Sequence, residues 1–180
     1  QEEQVKSTIA LGLCWVGLGT AGCASVKVQD YAKEKPELRL EEYLNGTIDA
    51  HGIFKDRSGR VTKRFHVVIQ ATWKENVGTL DEQFEYSDGT RSQRIWTVRK
   101  QGEGKYIGTA SDVVGEAVGE VSGNALRWKY VLDVEVEGKH YHVDFDDWMY
   151  LMDSRVMLNQ SKMSKWGFGL GEVILTFYKR

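Results

Sequence analysis

Residues 78–96 read GTLDEQFEYSDGTRSQRIW. Two runs of alternating character flank Ser87-Asp88-Gly89, the pattern of two strands joined by a tight turn. If those three residues form the loop with Gly89 left-handed, Tyr86 pairs with Thr90. Phe84, Glu82 and Leu80 then face Ser92, Arg94 and Trp96. This register gathers the apolar positions on one side, whereas a slip of one residue scatters them. It also sets Glu82 opposite Arg94 on the sheltered face. A two-residue Asp88-Gly89 turn would undo the pairing.

The same period of two recurs on either side of this hairpin. Upstream, Phe65, Val67, Ile69, Ala71 and Trp73 alternate with Arg64, His66, Gln70 and Thr72. Downstream, Leu126, Trp128, Tyr130, Leu132, Val134 and Val136 oppose Arg127, Lys129, Asp133 and Glu135, and Val173, Leu175 and Phe177 oppose Glu172, Thr176 and Tyr178. Strands are expected near 38–54, 61–73, 79–86, 90–99, 104–110, 114–121, 125–137, 140–149, 154–163 and 168–179. Turn residues such as Asp56-Arg57-Ser58-Gly59, Asn76-Val77-Gly78 and Ser122-Gly123-Asn124 punctuate them. No helix is expected. Consecutive hairpins, each with one wet and one dry face, predict an all-β fold: an antiparallel up-and-down barrel of about ten strands over 38–180, closed so that no edge is exposed.

Composition agrees with one folded domain. The chain has 180 residues, 41% of them hydrophobic and 28% charged, with 19 glycines and one proline. The net charge of −2 lacks the clustered basic face that a nucleic-acid partner would need.

The N-terminus carries a different signal. Thr8 to Gly19, TIALGLCWVGLG, is a short apolar run after Lys6, and it leads directly into Thr20-Ala21-Gly22-Cys23. An apolar core with small residues before a cut site is how a signal peptide reads, here 1–22. Cysteine after Ala-Gly marks the residue that is lipidated in exported lipoproteins, which would anchor the domain to a membrane through Cys23. Residues 23–37 would then be the lipidated cysteine and a polar tether. Thr20 stands where such sites usually carry leucine, and the acidic start at Gln1 is simplest to explain by further residues upstream. The alternatives are an uncleaved anchor over Ser7 to Val26 and a buried segment. With Cys14 removed and Cys23 acylated, the mature domain would hold neither a free thiol nor a disulfide.

The runs DYAKEKPELRLEEYLNGTIDAHGIFKDRSGRVTKRF, GTLDEQFEYSDGTRSQRIW, YIGTASDVVGEAVGE, GNALRWKY and FDDWMYLMD, with VMLNQSKMSKWGFGLGEV near the end, extend over nearly all of Val26 to Arg180. They resemble a proteobacterial lipoprotein family catalogued as a domain of unknown function, number 3833. The resemblance implies a location in the cell envelope, a calycin or lipocalin-like barrel and a lipid-related role. It brings no activity and no catalytic residues. Ala24 after the cysteine, read by the sorting rule of such lipoproteins, favours the outer membrane, facing the periplasm. The Gly-x-Trp signature of true lipocalins is missing, with Gly46-Thr47-Ile48 in its place.

Candidate sites follow from the faces. Trp73, Phe84, Trp96, Trp128 and Phe145 would line the barrel and accept an apolar ligand such as a fatty-acyl lipid. Glu82 and Arg94 would hold its polar head, or satisfy each other as a structural pair. At Phe145-Asp146-Asp147-Trp148, Asp147 falls on the face of Val143 and Phe145. Either a bulge re-aims the chain, with carboxylates bonding turn amides, or a carboxylate points inward, and the bulge is the favoured reading. A rival reading is a lipid-modifying enzyme with Asp146, Asp147 or Glu82 as general acid or base. A third is an assembly lipoprotein whose barrel is filled by its own side chains. His140, His142, Asp144 and Asp146 share a face with metal-ligand spacing, but that face is the polar one, and a solvated surface is expected. No metal and no cofactor are expected, and no protein partner is assigned.

Overall fold

The computed structural model describes residues 25–180. Ten antiparallel strands follow one another: β1 (Gly46–Asp56), β2 (Val61–Lys74), β3 (Val77–Tyr86), β4 (Arg91–Lys100), β5 (Lys105–Thr109), β6 (Ala117–Ser122), β7 (Ala125–Val136), β8 (Lys139–Leu151), β9 (Val156–Lys165) and β10 (Phe168–Lys179). Each pairs with the next, and β10 returns to β1, so the barrel is closed. Closure satisfies every edge and leaves one interior for the apolar face of each strand. Phe65, Val67, Ile69 and Ala71 of β2 and Val173 and Phe177 of β10 are buried there, as their alternation predicted.

The β3–β4 hairpin has the three-residue register read from its sequence. The Tyr86 amide donates to the Thr90 carbonyl at 2.9 Å, and Gly89 has φ +80°. Glu82 lies opposite Arg94 and Leu80 opposite Trp96. On β5 and β6, Gly108 and Gly119 face the barrel wall under Trp128. A Cβ at either position would sit 2.4 Å or 2.2 Å from its indole ring, so the absent side chains are what admits the ring.

Two stretches differ from the sequence expectation. The first strand begins at Gly46 rather than residue 38, because Leu40–Tyr43 form a single helical turn, α1. Leu40, Tyr43 and Leu44 recur at helical spacing, and all three are buried against the barrel end. The turn is fastened around the rim. The Trp73 indole donates to the Leu44 carbonyl at 2.7 Å, and the Tyr43 hydroxyl donates to the carbonyls of Arg155 at 3.0 Å and Phe177 at 3.3 Å. Glu41 accepts from Lys100 and, at 2.6 Å, from Tyr106. This plug closes one end of the barrel.

The second difference concerns the tether. Val28–Tyr31 form a 3₁₀ turn packed on β6 and β7, with Val28 buried and the Tyr31 ring set edge-on against Tyr150. Burial of Val28 and Leu38 holds this segment on the barrel wall instead of leaving it free. The signal peptide at 1–22 and the lipid site at Cys23 lie outside the described residues.

Candidate functional site

Inside the barrel, above the α1 plug, is a cavity of about 270 Å³. Its walls are mostly aliphatic and aromatic, and the charged groups among them, Glu82, Arg94, Asp112 and Asp147, form with Tyr130 and Ser161 one polar band. Among the residues singled out from sequence, Phe84, Trp96, Trp128, Phe145, Glu82, Arg94 and Asp147 line this cavity. Trp73 does not. It stands near the end of β2, where its ring covers Gly78 and meets Tyr106 edge-on, and its indole is spent on Leu44, so it belongs to the seal.

Asp147 reaches the interior with no bulge. β7, β8 and β9 pair continuously through it, with Trp128 on one side and Ser161 on the other. Alternation therefore carries Asp146 outward, to Arg127 at 2.8 and 2.6 Å, and Asp147 inward, where it is only 6% exposed. The bulge reading is thus replaced by its alternative, an inward carboxylate. Asp147 accepts hydrogen bonds from the Ser161 and Tyr130 hydroxyls, the latter at 3.2 Å.

Across the band, Arg94 forks onto a residue that sequence reasoning missed. Asp112, in the β5–β6 loop, takes bonds of 3.0 and 2.6 Å from the guanidinium, while Glu82 stands 3.9 Å away. The loop is held over the barrel by β7: the Asp133 amide donates to the Asp112 carbonyl at 2.9 Å, and the Val114 amide to Val131 at 2.9 Å. Asn159 and Ser161 of β9 were missed as well. Both stand on the inward face of an alternating strand, and that placement was the available signal.

Burial sets the electrostatics. It pushes the Glu82 carboxyl up to about 7, against the pull of the Arg94 charge and the Trp96 indole. Burial likewise takes Asp147 to about 7, although the Ser161 and Tyr130 hydroxyls favour its anion. The Tyr130 phenol is raised well above its ordinary value by burial and by Asp147. Burial opposes the Arg94 charge, but the Asp112 hydrogen bonds and the Glu82 charge outweigh it and keep the guanidinium firmly protonated. His140, His142 and Asp144 lie on the outer surface, exposed to solvent, and His140 pairs with Asp133 at 3.0 Å.

These shifts have a consequence for folding. Carboxyls whose values rise on folding stabilise the native state fully below their ordinary values near 4, and that contribution is lost as pH climbs through 7. Stability to urea should therefore fall between about pH 4.5 and about pH 8. Asp147→Asn removes one of the two ionisations and should cut that fall by about 3 kcal/mol. Equal pH slopes in the two proteins would disprove the assignment.

No curated protein matches the chain. Among solved structures, an S-type phycobiliprotein lyase from Guillardia theta superposes with a TM-score of 0.55 at 8% identity, covering 78% of this chain and 90% of that one. A designed fluorescence-activating β-barrel aligns at a TM-score of 0.44 and 10% identity, over 79% and 99% of the two chains. The first shares the barrel fold with this protein. The family described as Protein of unknown function (DUF3833) matches residues 18–179, nearly the whole chain, and the protein belongs to that family.

Proposed function

We propose that this protein is an envelope lipoprotein that binds one small, largely apolar ligand inside its barrel, an acyl or similar hydrocarbon body being the best fit. The cavity carries this reading. About 270 Å³ is close to the lower end of ligand sites, roughly 300–1,000 Å³, and apolar walls with a few convergent polar groups are their usual composition. A barrel serving only as a spacer would gain packing by filling that volume.

The envelope part of the proposal rests on the apolar run Thr8 to Gly19 ahead of Thr20-Ala21-Gly22-Cys23. Only four residues separate Cys23 from Val28. A lipid on Cys23 would thus hold the β6–β7 side of the barrel within about 18 Å of the bilayer surface.

The test is native mass spectrometry and organic extraction of the mature protein purified from its own membrane. A stoichiometric small molecule, and an N-terminus at an acylated Cys23, are the expected results. Repeated recovery of empty protein would overturn the binding reading. A mature chain starting elsewhere would overturn the anchor. A second reading, acid–base catalysis on a bound lipid, draws on Glu82 and Asp147, two buried carboxyls raised to about 7, where proton transfer at neutral pH is efficient. Turnover abolished in Asp147→Asn with the fold retained would favour it.

A further inference from the structure

We infer that the polar band selects a ligand whose polar end is a protonated amine and disfavours a free carboxylate; this rests on the reading of the barrel as a binding module. The first argument is a balance of charge. The residues lining the cavity include one cation, Arg94, and three carboxyl groups, Glu82, Asp112 and Asp147. The Nε and Nη2 edge of Arg94 is already occupied by Asp112 and its Nη1 faces Glu82 at 3.9 Å, so a fourth carboxylate would compete for the one cation beside groups of its own sign. A cation would instead meet the surplus.

The second argument concerns unused hydrogen-bonding capacity. The Ser161 and Tyr130 hydroxyls are directed at Asp147, Nε and Nη2 of the guanidinium at Asp112, and Nη1 stands 3.9 Å from Glu82. Beyond those Nη1 donors, the band offers acceptors, the oxygens of Glu82 and Asp147. An ammonium group supplies three donors and no acceptor.

Asn159 is an independent pointer to a missing partner. It is 2% exposed, stands on the inward face between Met149 of β8 and Leu175 of β10, and lines the cavity. Both its amide oxygen and its amide nitrogen are buried without a hydrogen-bond partner. Buried amides are almost always satisfied, so an orphaned one on a cavity wall marks where a bound group completes the site. Its oxygen adds a further acceptor near the amine, and its nitrogen can donate to an oxygen elsewhere on the ligand.

A pH signature separates this from other ligand classes. The charged and titratable groups facing the site are Glu82 and Tyr86 on β3, Arg94 on β4, Asp112 in the β5–β6 loop, Tyr130 on β7 and Asp147 on β8. Arg94 and Tyr130 keep their protons across the neutral range, so Glu82 and Asp147 govern the change. As these two ionise, an amine is held more tightly and a carboxylate less.

The experiment is a titration of the full chain, freed of endogenous lipid, with decylamine, decanol and decanoate, read by the fluorescence of Trp96 and Trp128. At about pH 8 decylamine should bind about tenfold more tightly than decanol, and decanoate more weakly than both. Near pH 5.5 the advantage of the amine should largely vanish, and at about pH 8 Asn159→Ala and Asp147→Asn should each lower the ratio of decylamine to decanol affinity. Decanol binding with no preference for the amine, or decanoate binding tightest, would overturn the amine assignment and leave the barrel a ligand carrier. Failure of all three to bind would overturn both.

Discussion

Trp128→Ala lowers the stability of the barrel by about 3–5 kcal/mol, the range for removing a buried indole from a core. Trp128 is 6% exposed. It meets Trp96 edge-on at 5.8 Å and covers Gly108 and Gly119, which contribute no side chain of their own. β5 and β6 are the shortest strands of the barrel, five and six residues. Their inner surface is bare backbone at these glycines, so nothing nearby can collapse into the space the indole leaves. The void would merge with the existing cavity. Urea unfolding measures the loss, and the melting temperature should drop by about 10 °C. A second substitution tests the cause. Gly119→Ala should destabilise the parent protein, because its Cβ would press on the ring, yet cost little in Trp128→Ala, where the ring is gone. Additive effects, or a loss below about 1 kcal/mol, would show that the ring does not depend on those glycines.

This pairing of a large residue with two small ones shows where sequence reading stops. Strand alternation made Trp128 an inward residue, and the Ser87-Asp88-Gly89 loop set the β3–β4 register, because both depend on periodicity and turn chemistry within a few residues. What Trp128 packs on depends on β5 and β6, whose order around the barrel emerges only on closure. The same limit explains Asp112. It sits in a loop with no period, and it becomes the partner of Arg94 only because β7 holds the loop where its carboxylate meets β4. Asp147 was misjudged for the opposite reason. Alternation puts it on the inward face, but a carboxylate between Phe145 and Trp148 reads equally as the mark of a bulge, and nothing local decides between the two. Its cost is met by Ser161 and Tyr130, from two neighbouring strands, and by retention of a proton. Leu38 to Leu44 contained both a two-residue and a helical spacing of apolar side chains. A closed barrel leaves a hydrophobic end to be covered, and burial of Leu40, Tyr43 and Leu44 over that end decided for the helix.

Arg94→Met should cost about 3 kcal/mol near pH 8, the lower part of the range for removing one partner of a buried ion pair, since Asp112 is partly open to water. Methionine keeps the length and apolar stem of the side chain, so the loss reports charge rather than volume. At that pH the parent protein sets Arg94 against Asp112 and the ionised fraction of Glu82. Without it, both carboxyls face an uncompensated interior, and Glu82 must hold its proton to higher pH. Near pH 5 the situation changes. Glu82 and Asp147, each raised to about 7 by burial, are neutral in both proteins, and only the exchange with Asp112 remains. The deficit of Arg94→Met should therefore shrink on acidification. Removing the orphaned charge as well, in Arg94→Met with Asp112→Asn, should recover more than half of the loss at pH 8, because most of the cost lies in the carboxylate left behind. Urea unfolding of the two single variants and the double variant at both pH values gives the complete cycle. A deficit that does not vary with pH, or a double variant no more stable than the sum of the singles, would mean that Arg94 supports the barrel through packing alone and that its charge is not what balances the interior.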